Sequence, residues 1–265
     1  MIKFFNDYIV WRPNYYFSRW KKFKLLYNYN EIKKENTDFN FRIGYNILVE
    51  DWESANHIFS EIFIYECYPI DKSKSNQLII DIGANVGFFT FYSLMKLKNA
   101  KIITIEADPK NYKVLKNNIL SNNLKDRVQL LNKAVCSEKG KVKFYSSLNS
   151  AGWSSIYRKR GAEKSELIHV DAITITDILS TLQNRTVDIM KIDIEGAEYD
   201  VLLNDNFLDN FIIKKLFIEV DKKPRDKRFT IKQLLRYLDN YYKNIRVFDS
   251  DNEYPLLICE GYKND

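Results

Sequence analysis

From residue 77 onward, short apolar runs alternate with longer stretches of helical period. "QLIID" (77–81), "KIITIE" (101–106), "RVQLLNKAV" (127–135), "VDIMKID" (187–193) and "KKLFIEV" (214–220) are rich in Ile, Leu and Val. Runs of this kind predict strands buried on both faces. Between and after them lie "VGFFTFYSLMKL" (86–97), "DPKNYKVLKNNILSNN" (108–123), "TDILSTLQ" (176–183), "EGAEYDVLLN" (195–204) and "TIKQLLRYLDNYY" (230–242), which predict helices. The second of these has Asp108 as N-cap and Pro109 at the first helical position. "SEKGKVKFY" (137–145) predicts a hairpin following the third strand, and "LIHVDAITI" (167–175) a further strand that packs His169. Strand–helix alternation implies a mostly parallel sheet with helices on both faces. "IRVFDS" (245–250) and "PLLICE" (255–260) are joined by a short polar link, which implies an antiparallel edge hairpin at the C-terminus.

The first 76 residues read differently. Residues 1–30 interleave aromatics with Lys and Arg around a single acid, Asp7. They suit a helical extension packed on the main domain, or a segment making peripheral contact with a membrane or partner surface. "WESANHIFSEIFIYECY" (52–68) predicts a helix, and His57 and Glu61 on it are placed as a cap over a cofactor site, with Glu61 a candidate cofactor-binding residue. The polar break "DKSKSN" (71–76) sets the boundary: an extension and cap over 1–76, the main domain over 77–265.

Composition narrows the chemistry. Hydrophobic residues make up 45% of the 265, enough for a sizeable core. Two histidines and three widely spaced cysteines form no metal-ligand spacing and no disulfide framework, so no metal is expected. The net charge of +6 is compatible with an acidic ligand, nucleic acid or a membrane surface and selects none of them. No run is long and apolar enough for a transmembrane helix, and no secretory leader is legible, which predicts a cytoplasmic protein.

In open parallel sheets ligands bind beyond the carboxyl ends of the strands. Four strands here end in an acid: Asp81, Glu106, Asp193 and Glu219. Such a rim repels a phosphate-rich ligand and suits one carrying positive charge and hydroxyls. The turn Gly83-Ala84-Asn85-Val86-Gly87 departs from the dinucleotide fingerprint G-x-G-x-x-G, with Asn85 at the middle glycine and Phe89 at the third. Glu106 follows Gly83 by 23 positions, near the spacing of a ribose-binding carboxylate. The nucleoside half of the pattern is kept and the diphosphate half is dropped. S-adenosylmethionine meets both demands.

"IDIGANVGFFT", "IEADPKNYKVLKNN", "AVCSEKGKVKFY" and "VDIMKIDIEGAEYDVLL", in this order, resemble the FkbM family of S-adenosylmethionine-dependent methyltransferases. The resemblance spans roughly residues 58 to 221. It implies a Rossmann-like class I methyltransferase fold and O-methylation of a sugar, glycan or natural-product hydroxyl. It also implies that Asp81, Gly83, Ala84, Asn85 and Gly87 hold the methionine end, that Glu106 takes the ribose, and that Ala134 and Val135 lie near the adenine. Cys136 stands where members often show an aromatic, and no role is carried to it.

In "KIDIEGAE" (191–198), Lys191 and Asp193 share one face of a strand. Asp193 is the leading candidate for the base acting on the acceptor, Glu195 the second, and Lys191 is either their partner or part of the catalysis. Glu195 and Glu198 are expected to open the next helix, where acids are favourable. In the loop 149–161, Trp153 offers a stacking face, and Ser154 and Ser155 offer hydroxyls, for an acceptor. The expected partner is a small-molecule or glycan acceptor, with no nucleic acid. Rival readings are an RNA methyltransferase, a non-catalytic S-adenosylmethionine-binding protein and a nicotinamide oxidoreductase. The last lacks the third glycine.

Overall fold

The computed structural model describes residues 38–40, 45–50, 52–147, 154–157, 165–224, 226–248 and 253–263. The expected N-terminal helical extension, residues 1–30, lies outside them. Chain order runs through β1 (Asp38–Asn40), β2 (Asn46–Leu48), α1 (Trp52–Phe59) and a π-helical turn Ser60–Ile64. Then come β3 (Leu78–Ile82), α2 (Phe88–Lys96), β4 (Lys101–Ile105), α3 (Pro109–Ser121), β5 (Val128–Leu131), β6 (Ala134–Val135), β7 (Gly140–Ser147) and β8 (Ser165–Ile173). The chain continues with α4 (Ile175–Ser180), β9 (Thr186–Ile192), α5 (Glu198–Asn204), β10 (Ile212–Glu219), α6 (Ile231–Asp239), β11 (Tyr242–Phe248) and β12 (Leu256–Tyr262).

The main sheet has the order β11-β12-β10-β9-β3-β4-β5. Its five strands from β10 to β5 are parallel, and β12 and β11 add the antiparallel edge that the sequence implies. Period-2 alternation gives each strand two apolar faces. Ile79, Ile102, Ile189 and Phe217 pack with α1, the π-turn, α2 and α3, through Phe59, Phe63, Phe88, Phe91 and Leu115. Ile80, Ile103, Met190, Ile192 and Leu216 point the other way, onto Ile178, Leu179, Val201, Leu202 and Leu234 of α4, α5 and α6. As expected, Asp108 caps α3, accepting the backbone N–H of Lys110 at 2.9 Å.

Three expectations are corrected. The third run breaks at Asn132: only Val128–Leu131 joins the main sheet, while Ala134–Val135 joins a second sheet of order β6-β8-β7. The hairpin partner of β7 is therefore β8, from Gly140↔Ala172 to Ser147↔Ser165, because the nine-residue β8 inserts between β6 and β7. His169 lies in β8 but is exposed on its outer face. Among the described residues no helix is long and apolar enough to cross a membrane.

Candidate active site

A buried polar layer lies at the carboxyl end of the parallel strands, on the face that carries α2. Strand register puts Asp81 beside Thr104 on one side and Lys191 on the other. Asp81 is fully buried; its Oδ2 accepts the Thr90 hydroxyl at 2.6 Å, and its Oδ1 lies 3.9 Å from Lys191 Nζ without a hydrogen-bond partner. Burial outweighs Lys191 and Thr90 and pushes the Asp81 carboxyl up. Lys191 Nζ meets Asp193 Oδ2 at 3.0 Å and donates to the Gly83 carbonyl at 3.2 Å. Burial alone would lower the lysine's pKa, but Asp193 and then Asp81 outweigh it and hold the ammonium charged. Asp193 is thus the principal partner of Lys191.

The glycine turn has a packing role of its own. Gly83 has φ +77°, and a Cβ there would lie 1.7 Å from the Asp193 carbonyl oxygen. The position is therefore glycine because the β3 and β9 exits touch backbone to backbone. A Cβ on Gly87, at φ +105°, would lie 2.9 Å from Leu115 Cδ1, so this glycine lets α2 approach α3. Asn85 stands at φ 53° and donates its N–H to Glu106 Oε2 at 2.8 Å. Glu106 Oε1 accepts the Asp108 N–H at 2.8 Å. Only 6% exposed, Glu106 is pushed to about 7 by burial, against the pull of these two amide bonds. Each oxygen keeps a free lone pair, which suits the two hydroxyls of a ribose.

After β9 the chain makes the turn Ile194-Glu195-Gly196, with Glu195 at φ 60° and Gly196 at φ 109°. Glu195 therefore sits in the turn, and α5 begins only at Glu198. Glu198 is buried beneath that turn: its Oε1 accepts Ile194 N–H at 2.8 Å and its Oε2 accepts Gly196 N–H at 3.0 Å. Its carboxyl, pushed to about 7 by burial, shapes the turn from below. Asp193, Glu195, Glu219, Asp221 and Tyr254 line a small recess above.

Ser154 and Ser155 cross the rim. Ser154 Oγ donates to Asp108 Oδ2 at 2.8 Å, and Ser155 Oγ donates to the Glu195 carbonyl at 2.7 Å. Both hydroxyls thus stitch the β4 exit to the β9 exit. Trp153 lies outside the described residues. Ala134 and Val135 are buried on β6, directly after the strand beside β4. Glu61 projects from the π-turn, 3.4 Å from His57, and its charge reaches Cys67, Tyr68 and Glu219. Among the sequence candidates, Asp81, Lys191 and Asp193 are brought into one network with Gly83, and Glu106 into a second with Asn85.

Glu219 and Tyr68 are additions to the sequence candidates. Tyr68 is buried with its ring edge-on to Phe89 and Phe217, 5.0 and 5.3 Å away between centroids. Burial, Cys67 and the Glu219 and Asp193 carboxylates raise its pKa. The signal for Glu219 was present in the sequence, since it is the fourth acid ending a strand. Tyr68 had none, because its place depends on how the cap segment folds back over α2.

The doubly covered, mostly parallel sheet, with a carboxylate at the end of β4, is the class I methyltransferase fold. The chain belongs to the FkbM methyltransferase family: the model of the methyltransferase FkbM domain matches residues 81–249. Methyltransferase sdnD of Sordaria araneosa is 30% identical over 175 residues, covering 56% of this chain and 68% of its own. Methyltransferase 1 of Beauveria bassiana (strain ARSEF 2860) is 26% identical over 179 residues, covering 59% and 72%. A crystal structure of an FkbM methyltransferase from Methylobacillus flagellatus KT matches with a TM-score of 0.50 at 16% identity, over 76% of this chain and 47% of that one. This chain thus spans about half the length of that protein, and the likeness is one of fold. S-adenosylmethionine is the cofactor. The residues fit it: Glu106 offers paired acceptors, and the rim around Asp81 and Asp193 is acidic.

Proposed function

We propose that the protein transfers a methyl group from S-adenosylmethionine to a hydroxyl of a small-molecule or glycan acceptor. The observation that carries this is the division of the rim. Glu106 stands ready for a diol at the β4 exit, while a recess walled by Asp193, Glu195 and Glu219 opens at the β9 and β10 exits. When bound, the cofactor supplies an electrophilic methyl on a sulfonium. Asp81, Asn85 and the 83–87 turn hold its methionine end in this reading, Glu106 its ribose, and Ala134 and Val135 flank its adenine. The recess then receives the acceptor and holds its hydroxyl in line with the methyl. A carboxylate-walled recess disfavours a phosphate backbone, so the acceptor in this reading is not a nucleic acid. In this reading the enzyme is cytoplasmic, and the aromatic and basic composition of residues 1–30 favours contact with an anionic surface.

Isothermal titration with S-adenosylmethionine, S-adenosylhomocysteine and NAD tests the reading. The first two bind at micromolar concentration and NAD does not. Binding of NAD alone would overturn it.

A further inference from the structure

Asp193 and Glu219 end neighbouring parallel strands, with Ile192 and Ile218 in register just before them. Their surroundings differ in one decisive way. Asp193 is joined to Lys191 at 3.0 Å, and protonating it would leave a buried ammonium with only Asp81, 3.9 Å away. That makes Asp193 a poor resting place for a proton. Glu219 has no Lys or Arg within ion-pair distance among the described residues. It is half-buried in the wall of the recess that Asp193, Glu195 and Tyr254 share.

The charges that act most on Glu219 are Asp193 at the β9 exit, Glu61 from the π-turn, Glu195 from the 194–196 turn and Lys191 from within β9, and Glu198 and Asp221 line the same recess. Cys67 and Tyr68, between the π-turn and β3, feel the Glu219 charge in return. Burial and then the three carboxylates push the Glu219 carboxyl well above the usual carboxylate range, with Lys191 pulling weakly the other way. A group tuned in this direction is a stronger base when ionised than an ordinary carboxylate.

We propose that Glu219 receives the proton of the acceptor hydroxyl, while Asp193 serves as the counter-charge that holds Lys191. This rests on the methyl-transfer reading above. As the acceptor oxygen bonds to the methyl carbon, the sulfur–methyl bond breaks with its electron pair kept on sulfur. The O–H proton passes to the Glu219 carboxylate and leaves from there to solvent. The carboxyl is emptied beforehand by charge: a cation brought beside Glu219 favours its ionised form, so the donor's arrival readies the base.

The test uses the full chain and two probes. Sinefungin carries an amine where the sulfonium and its methyl lie; S-adenosylhomocysteine carries no charge there. Titration calorimetry near pH 7, in two buffers of different ionisation heat, counts the protons released on binding. In the wild type, sinefungin releases more protons than S-adenosylhomocysteine, because the share from Glu106 at the ribose is common to both probes and cancels in the difference. Glu219→Gln abolishes that excess release and lowers the preference for sinefungin over S-adenosylhomocysteine roughly tenfold, with S-adenosylhomocysteine affinity held within about threefold. Glu219→Asp restores the excess release, which separates loss of the carboxylate from loss of the fold, and Asp193→Asn retains it. Excess release that survives Glu219→Gln and disappears in Asp193→Asn would assign the proton to Asp193 and overturn the proposal. A wild type that binds neither probe defeats the donor reading, and the proposal with it.

Discussion

Glu106 and Glu219 are both acids that end a buried parallel strand, one at the exit of β4 and the other at the exit of β10, and the chain surrounds them in opposite ways. Each Glu106 oxygen is met by a backbone amide, from Asn85 and Asp108, at 2.8 Å. That carboxylate is fixed in place by groups that cannot titrate. Glu219 is surrounded by Asp193, Glu61 and Glu195, whose charges make its proton state sensitive to any cation that enters. Amide-held acids suit a ligand bound the same way in every cycle; an acid set among other acids suits a group that must gain and lose a proton. Lys191 couples the two regions, reaching Asp81 and the Gly83 carbonyl on one side and Asp193 on the other.

The tightest joint between them is the backbone contact at Gly83, and breaking it has the largest expected effect. Gly83→Val places a Cβ 1.7 Å from the Asp193 carbonyl at φ +77°. We expect a loss of about 4 kcal/mol or more, seen as a thermal midpoint lowered by roughly 8–16 °C or no cooperative unfolding at all. A variant that melts normally and merely fails to bind S-adenosylmethionine would show that ligand contact, and not the backbone contact with Asp193, requires the glycine.

A smaller effect sharpens the comparison on the β9 side. Glu198 resembles Glu106, buried and amide-held, with its carboxyl raised from the ordinary 4.5 to about 7. A carboxyl raised on folding contributes stability that is full below its unfolded pKa and lost as pH rises through the folded one. The wild type should therefore lose up to roughly 3 kcal/mol per such group between about pH 4.5 and 7. Urea unfolding of Glu198→Gln should give a flatter profile across that window, with the shares of Glu106, Asp81 and Glu219, whose carboxyls are also raised, remaining. An unchanged slope would remove Glu198 as a titrating group.

The succession of strands and helices along the chain was readable from the sequence because apolar runs and helical period dominate the fold's energetics. Asp108 and Pro109 fixed the start of α3 by capping chemistry that acts locally. The split of residues 127–135 between two sheets was not readable: Val128–Leu131 and Ala134–Val135 have the same strand-like composition, and their partners, β4 and β8, are distant in sequence. Glu195 looked like a helix-opening acid, and its positive φ emerges only because Glu198 reaches back beneath the turn to take the Ile194 and Gly196 amides. The loop placed Ser154 and Ser155 as hydroxyls for an acceptor, but their partners in the fold, Asp108 and the Glu195 carbonyl, lie 46 and 40 residues away and were not readable. The acids at the strand ends were visible individually. Which of them is paired was not, since pairing follows from register and from the single lysine between β3 and β10.

The division of the rim is tested most directly by one titration series: the dissociation constant of S-adenosylhomocysteine for the wild type, Glu106→Ala and Glu219→Gln on folded protein. Glu106→Ala removes a charge-assisted acceptor worth about 1.5–3 kcal/mol, so binding should weaken roughly 10- to 150-fold. Glu219→Gln should leave the constant within about threefold, because its carboxylate faces the acceptor recess and not the ribose. Equal losses in both variants, or a loss in Glu219→Gln alone, would contradict the assignment of the donor to the β4 exit and the acceptor to the β9 and β10 exits.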